Sequence, residues 1–157
     1  MLEGNNRILI IGVGNLLLGD EGVGIHAINL LQEEQAALGP AVEIIDGGTA
    51  GLDLLFWLED ASSAIIIDCM DAGEVPGTIF RLPAEELISI SSNHIASLHD
   101  ISLQEVLLTA KKLGKLPPTV VFGIQPEKIG YCNQLSPEVK SVLPRLLQLI
   151  KQEMKII

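Results

Sequence analysis

The chain has few cysteines, few basic residues and no long apolar run. Two cysteines in 157 residues, Cys69 and Cys132, are too few for a disulfide framework and fit a reducing compartment. Ten Lys and Arg against twenty Asp and Glu leave a net charge of −10, which argues against nucleic acid or an anionic membrane surface as the main partner. No apolar stretch approaches the roughly 18 residues of a membrane span. The run from Ile8 to Gly19 has the wrong flanks for a secretion signal. Glu3 and Arg7 precede it, Asn15 interrupts it, and Asp20 and Glu21 follow without a small-residue cleavage site. Internal repeats, linkers and low-complexity tracts are also missing. With 48% hydrophobic and 19% charged residues, the expectation is one cytoplasmic domain, residues 1–157, with a sizeable core.

Continuous apolar, β-branched runs mark strands covered on both faces: "RILIIGV" (7–13), "AVEIID" (41–46), "SAIIID" (63–68) and "TVVFGI" (119–124). "GTIFRL" (77–82) alternates and ends at Pro83, so it reads as a peripheral strand. Helical patterns lie between them. Val23, Ala27, Leu30 and Leu31 form one stripe after Asp20, with Ile28 beside it. "GLDLLFWLED" (51–60) is a short apolar helix with Trp57 and Phe56 on more than one face; it either packs between neighbours or leaves a side for a partner. "SLQEVLLTAKKLG" (102–114) opens with a capping box, Ser102 and Glu105, and can stop at Gly114. The last helix (136–154) starts with Ser136 as cap and Pro137 in its first turn, and Pro144 should kink it. Alternating strands and helices predict an α/β fold: a three-layer α/β/α domain around a mostly parallel, twisted sheet of about five strands.

The stretch "IGVGNLLLGDEGVG" (11–24) has the glycines of a phosphate cradle without its cation. Gly12 and Gly14 are followed by Leu17 where a dinucleotide fingerprint needs its third glycine. Gly14 to Gly19 has P-loop spacing, but Asp20 and Glu21 stand in place of Lys and Ser/Thr. Two carboxylates would repel a polyphosphate, so no nucleotide is expected. Asp20 and Glu21 then read either as helix cap and first-turn residue or as part of a site.

Other acidic residues end strands: Asp46 in "EIIDGGTAG" and Asp68 in "AIIIDCMDAG", with Asp71 close behind. Such residues reach the carboxyl edge of the sheet, where open α/β folds bind ligands. Each alone reads as a helix cap; several at one rim repel one another unless a cation joins them. His26 falls within a helix pattern as a surface or packed residue. His94 and His99 lie in "SSNHIASLHDISL", five apart, so a helix would not put them on one face. Glu, Asp and His form a familiar open metal set. Cys69 adjoins Asp68, but strand alternation turns it to the other side, as a packed thiol.

With these residues in view, the chain resembles the hydrogenase maturation endopeptidases, which process nickel–iron hydrogenase large subunits. Five motifs carry the resemblance in order: "GVGNLLLGDEGVG", "IIDGGTAG", "IIIDCMDAGEVPG", "SLHDISLQEVL" and "VVFGIQPEKIGY". It implies that Glu21, Asp68 and His99 are the metal ligands and catalytic residues. His99 is taken over His94 because Leu103 and the helix beyond fit the family pattern from His99; His94 is left as an auxiliary contact. Asp46, with Gly47 and Gly48, corresponds to a position near the metal. Cys69 stands where the family usually has a small apolar residue. The implied reaction is removal of the C-terminal extension of the large-subunit precursor after nickel insertion, with nickel carried by the substrate. The alternative is a non-catalytic nickel-binding or nickel-sensing maturation chaperone with the same ligands. Serine-protease and zincin signatures do not occur.

Overall fold

The computed structural model describes residues 6–49, 51–90 and 102–157. Its sheet has five strands: β1 (Ile8–Val13), β2 (Val42–Gly48), β3 (Ser63–Cys69), β4 (Ile79–Pro83) and β5 (Thr119–Ile124). They lie in the order β2-β1-β3-β5-β4, parallel except for β4, which pairs antiparallel with β5. The helices are α1 (Val23–Glu33), α2 (Gln35–Leu38), α3 (Leu54–Glu59), α4 (Ala84–Ser89), α5 (Leu103–Lys112) and α6 (Pro137–Met154). All five expected strands form, as do the four helical segments. The short helices α2 and α4 were not anticipated.

Strand parity builds two cores. Leu9, Ile11, Ala64, Ile66 and Val121 pack on one face with residues of α3, α4 and α5. Ile10, Ile65, Ile67 and Phe122 pack on the other with α1 and α6. Successive side chains of a strand point to opposite faces, so a continuous apolar run fills both layers. The chain leaves β1 for β2 through α1 on one face and returns past β1 to β3 through α3 on the other. Right-handed crossovers require that change of face when the direction reverses.

Local chemistry sets the helix ends. Ser102 N–H donates to Glu105 Oε2 (2.9 Å), and Glu105 N–H donates back to Ser102 Oγ (3.2 Å), which completes the capping box of α5. Ser136 Oγ accepts from Val139 N–H at the start of α6, and the helix runs on through Pro144. In α3, Leu54 and Leu58 are buried while Phe56 is exposed, as is Leu52 just before the helix, so one side packs and the other faces solvent. At the sheet's outer edge, Arg81 of β4 holds Glu153 of α6 through two bonds, Nε to Oε2 (2.8 Å) and Nη2 to Oε1 (2.7 Å).

Candidate active site

Strand order places a crevice between β1 and β3. β2 lies on one side of β1 and β3 on the other, so the connections out of β1 and β3 part company there. Such a switch point at the carboxyl ends of the strands is where this architecture binds ligands. Glu21 follows β1, and Asp68 lies near the end of β3.

The glycines of the first loop explain how Glu21 arrives there. A Cβ on Gly12 would lie 2.4 Å from the Gly24 carbonyl oxygen, and one on Gly24 only 2.4 Å from that of Ile67. Helix α1 therefore rests on the strands backbone to backbone, which only glycine permits. Gly14 (φ 148) would drive a Cβ to 2.1 Å from the Glu21 carbonyl oxygen. The loop folds onto its own main chain, with Asn15 N–H reaching the Glu21 carbonyl (3.3 Å). These glycines seat a helix and fold a loop.

Asp20, Glu21 and Asp68 are 1%, 4% and 6% exposed, so each must be accounted for. Asp20 is not a helix cap: it caps neither the short 3₁₀ turn Asp20–Gly22 nor α1. Its Oδ2 accepts from Glu127 N–H (2.9 Å), Lys128 N–H (3.1 Å) and Ser136 Oγ (2.8 Å), and its Oδ1 from Ser136 N–H (2.7 Å). Four donors from the β5–α6 connection make it a structural carboxylate. Asp68 Oδ1 accepts from Cys69 N–H (2.8 Å). Cys69 is half-buried, packs on the α1–α6 side, and donates its thiol proton to the Glu21 carboxylate. Burial raises its pKa well above the ordinary thiol range, and the carboxylates of Glu21, Asp68 and Asp20 raise it further. The thiol is therefore neutral. That contact puts Glu21 and Asp68 on either side of one residue, and it extends the expectation of a packed thiol.

Asp71 has a different role. Its Oδ1 accepts from Gln125 Nε2 (2.9 Å) and Gly73 N–H (3.2 Å). Gln125 is buried, and its Oε1 accepts from Ala72 N–H (2.8 Å) and Glu74 N–H (3.2 Å). Asp46 pairs in register with Gly12 and is exposed, with Oδ1 accepting from Gly48 N–H (2.9 Å). With Gly14, Asn15 and Leu16 it lines a depression of about 300 Å³ at the same rim. His94 and His99 lie outside the described residues. Among those described, no group of three metal-ligating side chains forms. Glu21 and Asp68 supply buried carboxylate oxygens at one rim, which suits a divalent cation. Sequence reasoning missed Asp20 and Gln125 as braces. The signal was present in "IQPEKIG", where a glutamine and exposed main-chain N–H groups follow a strand.

A family model described as hydrogenase maturation protease matches residues 25–153. The hydrogenase 2 maturation protease of Escherichia coli K12 is 35% identical over 144 residues, 90% of this chain and 87% of that protein. A hydrogenase expression/formation protein, HupD, of Rhodobacter capsulatus is 36% identical over 135 residues, 85% of this chain. This chain spans 64% of that relative's length. The solved hydrogenase maturating endopeptidase HybD from Escherichia coli shares the fold with a TM-score of 0.79 and 30% identity, over 92% of this chain and 89% of its own.

Proposed function

Since the chain belongs to the hydrogenase maturation protease family, we propose that it is an endopeptidase for a nickel–iron hydrogenase large-subunit precursor. It removes the C-terminal extension once nickel has been inserted. The observation that supports this reading is that two buried carboxylates, Glu21 and Asp68, lie just after and near the ends of the two strands that flank the switch point of the sheet. His99, which precedes α5 in the sequence and lies outside the described residues, is proposed as the third member.

In this mechanism the nickel is part of the substrate. Carboxylate and imidazole donors suit Ni(II), although affinity order alone would not select it. Glu21, Asp68 and His99 bind the precursor through that ion and so hold the adjoining peptide bond over the rim, where proximity replaces a bimolecular encounter. A divalent ion so held can polarise the scissile carbonyl or activate water. Cys69 orients the Glu21 carboxylate by its thiol hydrogen bond. Asp20 and Gln125 fix the loops that carry Glu21 and Asp68. No helix among the described residues is long and apolar enough to cross a membrane, and the proposed setting is the cytoplasm, without nucleotide, nucleic acid or membrane partner.

The test is incubation with nickel-loaded and nickel-free precursor, followed by intact mass. Trimming of the loaded form alone is expected. Equal trimming of both would remove nickel as the gate, and no change of mass in either would leave the chaperone reading. The purified chain should hold little metal tightly and leave casein intact.

A further inference from the structure

A two-lobed groove runs from the acidic rim along the packed pair α1 and α6. The lobe at the rim, about 430 Å³, lies between Gly19, Tyr131 and Ser136. The second, about 400 Å³, lies between the two helices and is lined by His26, Asn29 and Lys140. Gln134 and Leu135 line both lobes, so the two adjoin at these residues. Gly19 directly precedes Asp20 and Glu21, and Ser136 is the residue that Asp20 holds. The first lobe therefore adjoins the loop that carries Glu21.

Its lining favours a polypeptide over a small ion. Glu33 and Lys140 oppose each other in charge within the second lobe, so neither sign of ligand is selected. Asn29, Asn133 and Gln134 contribute side-chain amides. Each offers a donor and an acceptor together, the pairing a peptide backbone requires. Leu30 and Leu143 add apolar wall for a side chain. His26 has an unmet requirement: its Nε2 is shielded from solvent and has no hydrogen-bond partner among the described residues. Burial lowers the pKa of this imidazole, so it is a neutral group with one donor and one acceptor. An unpaired buried nitrogen is destabilising, and a bound group that pairs with the ring removes that penalty.

We infer that this groove binds an extended segment of the substrate polypeptide next to the cleaved bond, with His26, Asn29 and Gln134 pairing to its backbone. The inference rests on the peptidase reading above and adds where the substrate lies. A remote contact of this kind contributes to ground state and transition state alike, so its loss appears in KM.

The experiment measures steady-state cleavage of nickel-loaded precursor by His26→Phe and by Gln134→Leu. Each should raise KM about tenfold and leave kcat within about twofold of wild type. His26→Phe takes away both ring nitrogens, so its melting temperature is measured alongside and should stay within about 3 °C of wild type. Glu21→Gln should lose kcat. Unchanged KM in both groove variants, with Glu21→Gln inactive, would overturn the groove and keep the peptidase. If wild type cleaves no precursor, the peptidase reading fails and the groove is read directly by NMR. The probe is then a synthetic peptide spanning the end of the mature large subunit and its extension. Shifts of the His26 ring nitrogens and the Asn29 and Gln134 amides support the groove; shifts absent or confined elsewhere overturn it.

Discussion

Asp20 and Glu21 follow β1, while Asp68 and Asp71 lie at the end of β3 and just beyond it, so two neighbouring loops each carry a pair of carboxylates. In the first, Asp20 is saturated by main-chain and hydroxyl donors of residues 127–136, and Glu21 is the buried candidate site residue. In the second, Asp71 is held by Gln125, and Asp68 is the buried candidate site residue. The order of brace and site residue is reversed between the loops. Both braces nonetheless fasten to the segment that leaves β5. Charge at a strand end therefore does not by itself mark a site. What marks Asp20 and Asp71 as braces is the set of donors that residues 125–136 bring to them.

The comparison is broken most decisively at the site residues. Glu21→Gln, Asp68→Asn or His99→Ala should each reduce precursor processing by at least about 100-fold and weaken Cd(II) binding in calorimetry, because each removes one donor. Stability should change by no more than about 1 kcal/mol. Asp20→Ala should do the opposite. It strands the partly buried donors of Glu127, Lys128 and Ser136 and should cost about 3 kcal/mol, or roughly 10 °C in melting temperature for a domain of this size. Metal affinity of its folded fraction should hold. A stable but inactive Asp20→Ala protein would exchange the two roles. Gln125→Leu tests the second brace. Asp71 is exposed and can turn to water, so a smaller loss of about 2 kcal/mol is expected by thermal melting. Smallest is His94→Ala, which should change processing and Cd(II) affinity by less than about twofold. A large effect there with a silent His99→Ala would reassign the third ligand.

The fold was legible wherever a segment's own pattern decides its structure. The runs at 8–13, 63–69 and 119–124 are buried on both faces, and such burial leaves the same mark whatever the neighbours. Pro83 and the alternation before it marked β4 as peripheral, and the structure puts it on the edge. Its antiparallel pairing with β5 was not legible, because partners more than thirty residues apart leave no local trace. α4 was missed because its six residues, "AEELIS" (Ala84–Ser89), hold too few turns for a period to appear. At the site, acidic strand ends were visible as candidates. Their division was hidden because the donors to Asp20 lie 107 to 116 positions away. The thiol contact between Cys69 and Glu21 was hidden for the same reason: it crosses from one strand's loop to another's.

The bidentate pair between Arg81 and Glu153 has a bearing on what the molecule avoids. β4 is one of the two edge strands of the sheet, and an edge strand is a template on which any extended chain can add. Here a charged residue stands in the middle of that strand, tied to the last turns of α6, and a proline ends it. Both features discourage strand addition and the polymerisation that follows from it. A protein whose proposed work is to grip an unstructured tail meets such tails continually. With the β4 border blunted, a tail is turned away from that edge and toward the proposed groove, and copies of the protein are discouraged from pairing there.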